Sequence, residues 1–128
     1  MFLGLRTVIY PAPDLEGSKT WYTQLLGIEP YFDQPFYVGF SVAGYELALD
    51  PNADPALGAV TYWGVADADV GLARLIEAGA KPHSEVRDVG GGIRVAEVRD
   101  PGGAVLGIVE NPHFSLPEAT ETPAGPGR

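Results

Sequence analysis

Apolar and polar positions along the chain alternate between strand-like and helix-like periods. Residues 5–11 are a β-branched and aromatic run, which predicts a strand. Asp14 then stands as a helix N-cap. Leu15, Tyr22, Leu25 and Leu26 follow as an apolar stripe at helical spacing, which Gly27 ends. Three short strands are predicted next, at about 30–33, 36–42 and 45–50, with a tight turn at Val42-Ala43-Gly44. After the linker Pro51-Asn52-Ala53-Asp54-Pro55 the order starts again. A strand is expected at about 59–65, then a helix opened by Asp67 or Asp69. That helix carries Val70, Leu72, Ala73, Leu75 and Ile76 inside, and Gly79 closes it. Further strands are expected at about 82–89, 93–99 and 104–109.

The two halves are a weak internal repeat. Val8-Ile9-Tyr10 lies over Val60-Thr61-Tyr62, and Gly27-Ile28-Glu29-Pro30 over Gly79-Ala80-Lys81-Pro82, both at a shift of 52. Near the end the shift grows to 61, where Glu46-Leu47-Ala48-Leu49-Asp50-Pro51 lies over Gly107-Ile108-Val109-Glu110-Asn111-Pro112. The additional residues include the Asp88-Val89-Gly90-Gly91-Gly92 segment. The pattern is therefore βαβββ, twice, an α+β chain with units at about 5–50 and 59–111 inside a domain of residues 1–112. The tail 113–128 contains PEATETPAGPGR and is expected to be flexible or loosely docked.

Composition narrows the classes. A chain of 128 residues can bury one core. No apolar run approaches the ~18–20 residues that cross a bilayer. The N-terminus lacks a basic region ahead of its apolar stretch and reads as the first strand, not a signal peptide. The absence of cysteine excludes disulfides, thiolate nucleophiles and sulfur-based zinc sites, and fits a cytoplasmic setting. A net charge of −9 opposes binding to nucleic acid and to anionic membranes, and tolerates cationic small molecules.

Two βαβββ halves carrying VIYPAPDLEGSKTWYTQLLG, VTYWGVADADVGLARLIEAGA and VRDPGGAVLGIVEN resemble the vicinal oxygen chelate superfamily, which includes glyoxalase I, bleomycin-resistance proteins and extradiol dioxygenases. The resemblance spans about residues 5–112. It implies a partial barrel made of the two modules, pairing into a homodimer, and a cleft in which metal-dependent members hold a divalent ion. It also implies where the four ligands would stand. In the first half they fall at Thr7, seven residues before Asp14, and at Glu46. In the second half they fall at Ala59 or Val60, and at Gly107, seven residues after Asp100 of the Asp-Pro-Gly-Gly turn. Only Glu46 among these is a competent ligand, since stable sites use three or four donors. The expectation is a cleft with no cofactor, in which Gly107 marks a lost ligand.

Other chemistry finds little support. His83 and His113 have no acidic spacing around them, no serine sits in a Gly-x-Ser-x-Gly elbow, and Gly90-Gly91-Gly92 has no following helix or Lys-Ser/Thr to cradle phosphate. His83 reads as a partly exposed strand residue and His113 as a solvated one. Glu46 reads either as a solvent-facing carboxylate paired with Arg94, or as a cleft carboxylate that meets a ligand cation or takes a proton. Alternation puts Tyr62 with Val60 on one face and Trp63 on the other, and the ligand register that the resemblance implies turns Tyr62 to the cleft and Trp63 toward the helix. Trp21, Tyr22 and Tyr10 are expected in the core. Phe36 and Phe40, with Val38, share one strand face and Tyr37 and Gly39 the other; the sequence leaves open which lines the cleft, and Phe36 and Phe40 are candidate stacking surfaces.

The expected ligand-binding set is Thr7, Glu46, Tyr62, Arg94, Gly107, Phe36 and Phe40. The function expected from the resemblance is a metal-free protein that sequesters a small, cationic or aromatic molecule, as bleomycin-resistance proteins do. Two alternatives stand beside it. One is a lyase, isomerase or dioxygenase-type enzyme acting on a small carbonyl or aromatic compound, with Glu46 as base and Tyr62 or Arg94 polarising a carbonyl, or with a residual metal held by Glu46 and His83. The other is a dimerisation module with a filled cleft.

Overall fold

The computed structural model describes residues 1–116. Strand β1 (Gly4–Pro11) leads into helix α1 (Leu15–Leu26), then β2 (Phe32–Gln34), β3 (Tyr37–Val42) and β4 (Tyr45–Asp50). A short 3-10 helix at Pro55–Leu57 lies in the linker. The second half has β5 (Val60–Gly64), α2 (Ala68–Glu77), β6 (Lys81–Pro82), β7 (Arg87–Asp88), β8 (Arg94–Arg99) and β9 (Val105–Glu110).

Local chemistry sets the boundaries. The Asp14 side chain accepts from Gly17 N–H at 3.1 Å, and Asp67 from Val70 N–H at 3.0 Å, so both helices start on a carboxylate cap. Gly27 ends α1 in the left-handed region at φ 70°. Ala43 and Gly44 join β3 to β4 with φ of 54° and 92°, as a two-residue hairpin turn of the right twist requires.

All nine strands form one mixed sheet, in the order β2-β3-β4-β1-β5-β9-β8-β6 with β7 also on β8. Within each half the first and last strands run parallel, β1 with β4 and β5 with β9, because a helix carries the chain across between them. The halves join through the antiparallel pair β1·β5, with a register shift between Leu5 and Thr7. The expected strand at 82–89 is instead two short pieces. His83 N–H and Ser84 N–H both donate to the Glu97 carbonyl at 3.0 Å, which breaks the ladder and turns Ser84 toward the sheet.

Both helices lie on one face of the sheet. Ala12, Leu15, Val38, Phe40 and Leu49 are buried with α1, and Val65, Ala96 and Ile108 are packed by Leu72 and Leu75 of α2. Tyr10 and Tyr22 pack against the first cluster as expected. Trp21 does not: it is 57% exposed, as Leu25 is at 62%, because the buried stripe of α1 runs through Leu15, Tyr22 and Leu26 and leaves the neighbouring face in solvent. Trp63 stacks on Phe2 at 4.8 Å. The start of the tail, expected to be loose, makes definite contacts. Phe114 lies under the Arg6 guanidinium at 3.9 Å and beside Tyr45, and His113 Nε2 is 2.8 Å from the Gly91 carbonyl. The remainder of the tail lies outside the described residues. Among the described residues no helix is long and apolar enough to cross a membrane.

Candidate ligand cleft on the helix-free face

Residues paired directly across a sheet share a face. Register therefore assigns the face opposite the helices: Glu46 pairs with Thr7, Thr7 with Tyr62, Tyr62 with Gly107, and Gly107 with Glu97. Five consecutive neighbours thus bring Thr7, Glu46, Tyr62 and Gly107 together as the sequence anticipated, and add Glu97, which it did not. Val60 shares that face through its pairing with Ile9.

Glu46 is half-buried and held by three hydroxyls. Its Oε1 accepts from Thr7 Oγ1 at 3.0 Å and from the Tyr37 hydroxyl at 2.9 Å, and its Oε2 accepts from the Tyr31 hydroxyl. No cation reaches it among the described residues. Tyr31 comes from the turn between α1 and β2, and its backbone N–H donates to Gly39 at 2.9 Å. The ring crosses Gly39, where a Cβ would stand 2.6 Å from Glu46 Oε2 and 3.0 Å from Tyr31 Cε1. Glycine is required at that point for close approach. Burial first, then the Glu46 carboxylate, pushes the Tyr31 and Tyr37 hydroxyls far above the ordinary phenol range.

Glu97 is the buried charge of the second half, 6% exposed. Arg87 holds it with a two-pronged contact, at 2.8 Å to Oε1 and 3.0 Å to Oε2. The Tyr62 hydroxyl donates to Oε2 at 2.5 Å and the Ser84 hydroxyl to Oε1. Burial alone would raise the Glu97 carboxyl, but the bonds from Arg87, Ser84 and Tyr62 hold it below its ordinary value. Burial, then the bond to Glu97, pushes the Tyr62 hydroxyl well above the phenol range.

Gly107 has a second reason to be glycine. A Cβ there would stand 2.2 Å from Tyr62 Cε2 and 2.3 Å from Cδ2. The Tyr62 ring lies over the glycine and fills the space a side chain would take. This also bears on the metal that the fold family uses. The four inherited positions hold a hydroxyl, one carboxylate, Val60 and a glycine covered by an aromatic ring. Among the described residues no three His, Cys, Asp or Glu side chains gather into a metal-binding group. That donor set does not fit a divalent ion.

Two expected residues lie elsewhere. Arg94 bridges Asp69 of α2 at 2.6 Å and Glu110 at 3.1 Å, so neither pairing with Glu46 nor a place in the cleft holds. It shares parity with Ala96 and Val98, and that parity faces the helices. Phe40 is fully buried under α1 for the same reason, and cannot stack on a ligand. Phe36 precedes β3, is 59% exposed, and meets Phe32 edge-on at 6.1 Å beside the helix-free face.

Sequence reasoning missed Tyr31, Ser84, Arg87 and Glu97, and left Tyr37 on one of two strand faces between which it could not choose. Glu97 carried a usable signal: a lone carboxylate between Ala96 and Val98 in a strand with apolar neighbours. Tyr31 and Ser84 carried none, because each reaches its carboxylate from an irregular segment.

A cavity of about 310 Å³ opens on the same face, between the linker and the second half. Ile9, Val60, Tyr62 and Val105 supply apolar wall, Asp50, Asp54 and Glu97 carboxylates, and Arg87 and His83 the basic side chains. Asp50 and Asp54 each use Oδ1 to hold a backbone N–H of the linker.

Comparison with known proteins agrees with this architecture. Methylmalonyl-CoA epimerase in complex with methylmalonyl-CoA and NH4+ superposes with a TM-score of 0.74 at 17% identity, covering 91% of this chain and 100% of that one. Methylmalonyl-CoA epimerase from Mycobacterium tuberculosis gives 0.68 at 21% identity, over 85% of this chain and 88% of that one. A glyoxalase/bleomycin resistance protein/dioxygenase superfamily member from Vibrio splendidus 12B01 gives 0.63 at 19% identity, over 84% and 99%. At these identities the likeness is one of fold. No curated protein matches the sequence. The family profile described as Glyoxalase/Bleomycin resistance protein/Dioxygenase superfamily matches residues 4–108, nearly the whole sheet, and the chain belongs to that superfamily.

Proposed function

We propose that this protein binds a small organic cation with aromatic character on the helix-free face, without a metal, and holds it unchanged. The observation that carries this reading is the state of Glu46. It is a half-buried carboxylate fixed by hydroxyls and left without a cation among the described residues, on the same face as an acid-rimmed cavity walled in part by the Tyr62 ring. A fixed, partly desolvated anion attracts a ligand cation more strongly than a mobile surface one. Tyr62 and Phe32 offer ring surface.

The enzymatic reading, a lyase or isomerase with Glu46 as base, draws on the fold shared with methylmalonyl-CoA epimerase. Both Glu46 oxygens already accept hydrogen bonds from hydroxyls, so neither is presented bare to a substrate C–H, which favours binding over proton abstraction. Pairing into a homodimer is supported by Trp21, Leu25 and Ile28, apolar residues exposed at helical spacing along α1 and its cap.

A thermal-shift screen of aromatic amines and amidines against neutral isosteres tests the proposal. Cations should raise Tm at concentrations where the neutral partners do not, and mass spectrometry should recover them unaltered. Turnover of the bound compound, lost in Glu46→Gln, would replace the binder with the enzyme.

A further inference from the structure

We infer that Tyr31 is a placeholder for the ligand: its hydroxyl occupies the Glu46 oxygen to which an incoming ammonium or amidinium N–H binds, and the ring swings off Gly39 to admit it. This rests on the reading of the helix-free face as a cation site.

The two oxygens of Glu46 are not equivalent. Oε1 is held by two donors from within the sheet, Thr7 on β1 and Tyr37 on β3, both half-buried. Oε2 is held only by Tyr31, from a turn. A carboxylate offers about four acceptor positions, so Oε1 is saturated, and Oε2, with Tyr31 as its single donor, is where an incoming N–H can exchange. Tyr31 is also the exposed member of the set, at 62%. It belongs to neither buried core cluster, whereas Thr7 and Tyr37 project from strands paired within the sheet. An ammonium or amidinium in its place keeps the hydrogen bond and adds the attraction of opposite charges in a partly desolvated site.

Gly39 permits the resting position. Its missing side chain is what lets the Tyr31 ring and Glu46 Oε2 meet over the strand. A Cβ there would stand closer to Glu46 Oε2, at 2.6 Å, than to the Tyr31 ring, at 3.0 Å, so an alanine would displace the carboxylate as well as the ring.

The test uses benzamidinium as the cation and benzamide as its neutral counterpart, titrated by NMR into the wild type and into Tyr31→Phe and Glu46→Gln. Removing the competing hydroxyl should tighten benzamidinium about tenfold or more, the worth of one hydrogen bond to a charged group. Glu46→Gln should weaken it about tenfold or more, and benzamide should respond to neither substitution. In the wild type, cross-relaxation between the Tyr31 ring and the Gly39 α-protons should vanish on saturation. Equal affinity in Tyr31→Phe and wild type, or cross-relaxation that survives saturation, overturns the placeholder role. Benzamidinium binding that ignores Glu46→Gln, or is absent from both wild type and Tyr31→Phe, overturns the Glu46 anchor. Cations found in the wider thermal screen would then still support a ligand cleft, placed elsewhere on the face.

Discussion

Gly107→Ala adds a single methyl group to strand β9, and the structure says where it goes. The new Cβ would stand 2.2, 2.3 and 2.8 Å from three carbons of the Tyr62 ring. Carbon atoms settle at roughly 3.5 Å, so the ring must retreat by more than about 1 Å. Tyr62 is held at its far end by a 2.5 Å bond to a buried carboxylate, and that bond cannot survive such a shift. Overpacking costs about 1–3 kcal/mol. Losing a hydrogen bond to a charged group costs about 1.5–3 kcal/mol. The two overlap, because breaking the bond relieves the clash, and we expect a net loss of about 2–4 kcal/mol. Urea unfolding followed by circular dichroism measures it. The control is the same substitution in a Tyr62→Ala background. With the ring gone, alanine should be neutral or gain about 0.5–1 kcal/mol, since it restricts the unfolded chain more than glycine does. A loss under about 0.5 kcal/mol in the wild type, or equal losses in both backgrounds, would refute the idea that Gly107 is glycine because Tyr62 lies on it.

Glu97 sits below its ordinary value of 4.5 in the folded protein, so its contribution to stability is complete above about pH 4.5 and is lost as pH falls through the lower folded value. Glu97→Gln should flatten that part of the acid unfolding curve, and an unchanged acid slope would contradict the assignment. At the alkaline end the Tyr37 and Tyr62 hydroxyls lie above 10.0, so stability should fall as pH rises past the point where unfolded tyrosines ionise. Absorbance at tyrosinate wavelengths should show these residues silent until the fold opens. Equilibration with Fe(II), Mn, Co, Ni and Zn followed by removal of free ions should leave far less than one ion per chain. One tightly held ion per chain would overturn the metal-free reading. Arg94→Ala should leave cation binding unchanged, since Arg94 serves Asp69 and Glu110 on the helix side; a change in affinity would contradict that separation.

The order of elements was legible in the sequence because it is written locally. Asp14 and Asp67 are caps by chemistry, Gly27 is a stop, and alternation in residues 45–50 and 60–64 fixes strands. Periodicity also separates the two faces of a strand, so Tyr62 could be set apart from Trp63. It cannot say which face meets the helices. Phe40 and Arg94 were placed on the wrong side for that reason, since only the packing of α1 and α2 decides it. The ligand cleft depends still more on tertiary structure. Glu46 looked like a lone survivor of a metal site until Thr7, Tyr31 and Tyr37 arrived around it from three other segments. Gly107 looked like a deletion until the ring of Tyr62 was seen to occupy its space. A glycine in a strand announces close approach, which the sequence could state. What approaches comes from a strand 43 to 47 residues away, and only the fold brings it there.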